Sequence, residues 1–147
     1  MKNFLLTGGA GYIGSHTVVQ LLQNDYKVTV IDSLVNANPK SLDRVREIVG
    51  DDLGKNLSFV KVDLVNKDEL DKALAANAPY DACIHFAGLK AVGESVKLPL
   101  LYYHNNLTGT FFLIETMKKY GCQKIVFFQD LKLTLWLWNL IQLLEKM

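Results

Sequence analysis

An α/β fold with a doubly wound parallel sheet is predicted for this chain by three observations. Apolar runs of strand length alternate with segments of helical period. A glycine-rich turn, Gly8-Gly9-Ala10-Gly11-Tyr12-Ile13-Gly14, joins the first apolar run to the first helical segment. A carboxylate, Asp32, closes the second apolar run. Strands are expected near 2–7, 27–31, 58–62, 81–86 and 124–128, with helices near 12–24, 40–49, 66–76 and 98–119. Right-handed crossovers between them give a Rossmann-type sheet of order 3-2-1-4-5.

The glycine turn is the first element with chemistry in it. Gly9, Gly11 and Gly14 satisfy G-x-G-x-x-G, and Gly8, Gly11 and Gly14 stand three apart. One glycine makes the tight turn, a second lets main-chain amides approach a diphosphate, and the third lets helix and sheet close on each other. The free N–H groups and positive dipole end of the helix that follows then face phosphate. Asp32 follows Gly14 by 18 residues, near the spacing at which an acid binds an adenosine ribose. It would repel a 2′-phosphate, so NAD is expected over NADP. The alternative is an aspartate that merely ends a strand.

Further along, Ser33 to Asn38 is a polar loop in which Asn36 is placed to help hold the ribose, and Pro39 suits the first turn of the second helix. Asp63-Leu64 follows the third strand, where a carboxylate and an apolar neighbour meet adenine; Asp63 as a cap for the 66–76 helix is the competing role. Ala87 and Gly88, small residues after the fourth strand, allow a ribose close to the backbone. Lys90 and Ser95 would lie beside the nicotinamide ribose. His85 is expected to be a packed strand residue rather than a base, and His16 and His104 have less claim.

Composition narrows the classes. Half of the 147 residues are apolar and the formal net charge is +1, so neither a nucleic-acid face nor an acidic tail is expected. No membrane partner is expected either, because the apolar stretch near the end of the sequence is too short and interrupted to span a bilayer. Met1-Lys2-Asn3 leads directly into a strand, which points to a cytoplasmic protein without a leader. Cys83 and Cys122 have no C-x-x-C spacing, so reduced structural thiols and no metal site are expected. Asn56-Leu57-Ser58 and Asn106-Leu107-Thr108 match the glycosylation pattern, taken as accidental in a chain without a secretory signal.

At Gly8 to Thr17, and above all at Phe86-Ala87-Gly88-Leu89-Lys90-Ala91-Val92-Gly93-Glu94-Ser95, the sequence resembles the UDP-glucose 4-epimerase family of extended short-chain dehydrogenases/reductases. Tyr102-Tyr103 and Asn106 to Thr110 continue the likeness, which covers about residues 1–127. The resemblance implies NAD bound through Tyr12, Ile13, Asp32, Asn36, Asp63, Leu64, Phe86 and Lys90, with Asn106 near the cofactor. It also implies interconversion of UDP-galactose and UDP-glucose through a 4-keto intermediate, a UDP-hexose partner, and a homodimer through the 98–119 helix.

In that family a hydroxyl after the fifth strand and a Tyr-x-x-x-Lys pair on a later helix act on the sugar. Here the fifth strand continues into Phe128-Gln129-Asp130. The one Tyr-x-x-x-Lys, Tyr120 to Lys124, is interrupted by Gly121, so its side chains are not expected to share a helical face. No catalytic residue is therefore assigned. The likeness stops at Phe128, and Leu131 to Met147 carries an apolar stripe through Leu133, Trp136, Leu137, Leu140, Ile141, Leu143 and Leu144. A shifted reading frame, a retained intron and alternative splicing each produce such a break. The expected organisation is an incomplete, truncated Rossmann-type NAD-binding domain over 1–128 and a divergent amphipathic helical tail over 129–147. The substrate domain of the relatives is not expected in it.

Overall fold

The computed structural model describes residues 1–128. Five parallel strands, β1 (Asn3–Thr7), β2 (Lys27–Asp32), β3 (Leu57–Lys61), β4 (Ala82–His85) and β5 (Ile125–Phe127), form one sheet in the order β3-β2-β1-β4-β5. All four pairings are parallel, with Leu5 opposite Thr29 on one side and Cys83 on the other. The expected topology is the observed one. The tail expected over 129–147 lies outside the described residues.

Alternate side chains of each strand enter opposite cores, because the strand period is two. One core joins Leu5, Ile31 and Cys83 to Leu70 and Leu74 of α4 (Lys67–Ala75) and Leu113 and Met117 of α7 (Gly109–Lys119). The other joins Leu6, Val28 and Val30 to Val18 and Leu22 of α1 (Tyr12–Gln23) and Leu42 and Val45 of α2 (Lys40–Val49). Burial on both faces explains why the strands read as continuous apolar runs.

Three helical details differ from the sequence expectation. A short α3 (Asp51–Gly54) follows Gly50, whose φ of +79° breaks the path from α2. The stretch before residue 98, where no helix is expected, turns into α5 (Val92–Lys97), which buries none of its residues and so leaves no apolar period to detect. The expected 98–119 helix is wound in three segments of two forms: α6 (Pro99–Tyr103), a π segment (His104–Thr108), then α7. Among the described residues no helix is long and apolar enough to cross a membrane.

Candidate cofactor cleft

The carboxyl ends of the strands surround a cleft of about 370 Å³, within the size range of small-ligand sites and where open parallel sheets bind ligands. Its first wall is the glycine turn. Gly8 has φ of +70°, and a Cβ there would lie 2.6 Å from the Ala87 nitrogen. At Gly14 a Cβ would lie 2.5 Å from the Gly8 carbonyl oxygen, so the helix can start this close to the turn only with glycine. Gly14 is buried and packs the turn against itself; Gly8 and Gly11 line the cleft.

Gly11 caps α1 without any side-chain hydrogen bond, and the first turn carries no acid. The N–H groups of Tyr12 and Ile13 therefore meet no acceptor among the described residues, although their side chains point outward. Tyr12 is 82% exposed and rests edge-on against His16, with ring centroids 4.8 Å apart. Neither side chain lines the cleft, so any contact of these two residues with a diphosphate is a main-chain one.

Asp32 is buried at the end of β2 and already holds two loops. One carboxylate oxygen accepts from Ala10 N at 3.1 Å and the other from Leu34 N at 2.8 Å, supporting Leu34 at its positive φ of 61°. Each oxygen keeps a lone-pair direction free for a ribose hydroxyl. Ser41, at the start of α2, donates to the carbonyl of the same Ala10 at 2.7 Å. Sequence reasoning missed Ser41, because nothing local marks a serine in a first helical turn as bound to a loop 31 residues earlier.

Asn36, Asp63 and Leu64 line the next part of the cleft. Asp63 does not cap α4: its carboxylate accepts from Val65 N at 3.2 Å, while Asn66 is the N-cap and accepts from Glu69 N. The capping role considered from sequence is thus corrected. Phe86, Ala87 and Gly88 form the opposite wall, and Gly88 has φ of +141°, a conformation that favours glycine. Lys90 lies outside the cleft; its ammonium donates to the Phe128 carbonyl at 3.2 Å, and partial burial lowers its pKa.

Asn106 lines the cleft as a clamp. Its Oδ1 accepts from Leu89 N at 2.8 Å and its Nδ2 donates to Leu89 O at 3.0 Å. His85 is buried between Thr7 and Thr110 and meets Phe127 edge-on. Burial, aided by the nearby Lys90 charge, lowers its pKa to about 4, as befits a packed neutral imidazole. Tyr120 ends α7 and touches Asp71, while Lys124 precedes β5 and receives Cys83 N through its carbonyl. That pair sits at the amino edge of the sheet, away from the cleft. Among the described residues no group of three or more metal-ligating side chains occurs.

The residues present fit a dinucleotide. Open amides, a glycine turn that no side chain can fill, a carboxylate with spare lone pairs and a glycine-floored wall converge on one cleft. The family model described as GDP-mannose 4,6 dehydratase matches residues 5–130. UDP-glucose 4-epimerase of Bacillus subtilis is 57% identical over 123 residues, 84% of this chain and 35% of the relative. The bifunctional UDP-glucose 4-epimerase and UDP-xylose 4-epimerase 1 of Pisum sativum is 54% identical over 126 residues, 86% of this chain and 36% of the relative. Among solved structures, UDP-glucose 4-epimerase from Bifidobacterium longum, in complex with NAD+ and UDP, superposes with a TM-score of 0.81 at 40% identity. That match covers 88% of this chain and 37% of the other. The chain spans about a third of the length of the curated relatives it matches.

Proposed function

The chain belongs to the family described as GDP-mannose 4,6 dehydratase, among the extended short-chain dehydrogenases/reductases, and from that premise we propose that it is the NAD-holding part of a UDP-glucose 4-epimerase. The observation that carries this is one cleft lined by both the open glycine turn and Asp32. When bound, NAD supplies a nicotinamide ring that takes up and returns hydride. The amides of Tyr12 and Ile13 hold the diphosphate, with Gly8, Gly11 and Gly14 giving it room. Asp32 and Asn36 take the adenosine ribose, Asp63 and Leu64 the adenine. Phe86, Ala87 and Gly88 form the wall for the nicotinamide half, Lys90 lies at its rim, and Asn106 keeps that wall in shape.

These 147 residues are proposed to bind NAD without epimerising a UDP-hexose. Phe128, Gln129 and Asp130 offer no hydroxyl after β5, and Tyr120 and Lys124 straddle the end of α7 at the wrong edge of the sheet. Calorimetric titration with NAD and NADP, alongside a UDP-galactose turnover assay with NAD supplied, tests both statements. Tighter binding of NAD and no turnover above background are expected. Tighter NADP binding rejects the role of Asp32, and turnover rejects the inactivity.

A second reading, a subunit-pairing fragment, is favoured by the exposed Val96, Leu100 and Tyr103 around α5 and α6. It predicts self-association that Leu100→Glu abolishes while NAD binding is kept, as read by sedimentation velocity.

A further inference from the structure

Along the floor of the cleft, where His85, Asn106 and Thr110 are lining residues, runs a line of hydrogen bonds, and hydrogen counting fixes its direction. Thr110 Oγ1 lies 2.6 Å from the Asn106 carbonyl, which can only accept, so the one hydroxyl hydrogen of Thr110 is spent there. Toward His85 Nε2, at 3.2 Å, Thr110 can then only accept, so Nε2 carries the imidazole hydrogen. The bare Nδ1 faces Thr7 Oγ1 at 2.5 Å and takes that hydroxyl's hydrogen. Thr7, His85 and Thr110 are all essentially sealed from solvent, so the bonds act in a low dielectric and a broken one leaves an unmet polar atom.

Both ends of the line are attached to walls of the cleft. Thr7 immediately precedes the glycine turn, and its carbonyl accepts from Phe86 N at 2.9 Å and Ala87 N at 3.1 Å. Asn106 grips both main-chain groups of Leu89, and Asn105 Nδ2 donates to Asn106 Oδ1 at 2.9 Å, which fixes the orientation of the Asn106 amide. This grip comes from the π segment, and such turns recur at functional sites.

We propose that His85, held in its Nε2–H tautomer between Thr7 and Thr110, is a positioning residue that couples the glycine turn to the Leu89 loop and so sets the shape of the nicotinamide-side wall. The proposal rests on the NAD reading for its consequence in binding, though not for the existence of the line. Although His85 lines the cleft, the role proposed for it runs through Asn106.

The test uses the 147-residue protein. Nitrogen-15 spectra of the wild type are expected to show His85 as the neutral Nε2–H tautomer; an Nδ1–H tautomer overturns the proposal. Thr110→Val, which keeps shape but has neither donor nor acceptor, is expected to speed amide exchange at Leu89 and weaken NAD binding, each by about tenfold. Thr110→Ser restores the hydroxyl and is expected to restore both, which a loss of packing alone would not do. If Thr110→Val binds NAD and protects Leu89 as the wild type does, the coupling is wrong. Should Thr110→Val fail to fold, the wild-type tautomer decides. Wild-type protein that does not bind NAD overturns the functional reading, while the tautomer and Leu89 exchange still judge the line.

Discussion

Buried polar side chains carry the sharpest consequences at the residue scale. Burial, with a smaller contribution from the Lys90 charge, lowers the folded pKa of His85 to about 4 from an ordinary 6.5. As pH falls below 6.5 the unfolded chain takes up a proton that the folded chain refuses, so stability declines from 6.5 down to about 4. The loss amounts to about 3 kcal/mol, and His85→Gln should flatten that part of a pH–denaturation profile. Asp32→Asn leaves one acceptor oxygen for the two amides of Ala10 and Leu34, which should cost about 1–3 kcal/mol and relax the preference for NAD over NADP, measured by calorimetry. Gly14→Ala forces a Cβ to within 2.5 Å of a carbonyl oxygen, and a loss of about 3 kcal/mol or more in urea unfolding is expected.

Between elements, the pairing of α4 with α7 separates apolar packing from surface charge. Lys119 reaches Asp71 at 2.7 Å and Lys67 reaches Glu115 at 2.6 Å, with each lysine side chain more than half exposed. The Lys119 hydrogen bond holds the Asp71 carboxyl below its usual range, yet solvent screens these contacts. Lys119→Ala should leave the melting temperature nearly unchanged. Leu70 of α4 and Leu113 of α7, fully buried on the inner faces of these helices, should each cost about 2–5 kcal/mol on truncation to alanine. The helical ends follow the same local logic as the strands: Asn66 caps α4 through Glu69 N, and Pro99 opens α6. What escaped prediction were α3 and α5, one too short and the other too exposed to leave a periodic trace.

For the whole molecule, a ligand that binds only the folded sheet must stabilise it. NAD at a hundred times its Kd should add about 2.7 kcal/mol, visible as a rise of several degrees in Tm; no rise with NAD present would contradict the proposed function. Much of this molecule was legible in order along the chain. The five strands, their 3-2-1-4-5 order, the glycine turn and Asp32 are written in local patterns, because a parallel sheet buried on both faces needs unbroken apolar runs and right-handed crossovers leave few topologies. Only the folded structure decided how the acceptors and donors are shared. It turned Tyr12 and Ile13 outward, freed Asp63 from capping, made Asn106 a clamp on Leu89, and brought Thr7, His85 and Thr110 together from three elements. Hydrogen bonds between residues 25 and 78 positions apart leave no periodic mark in a sequence, since each depends on where strands and helices, formed for apolar reasons, happen to deliver a polar atom.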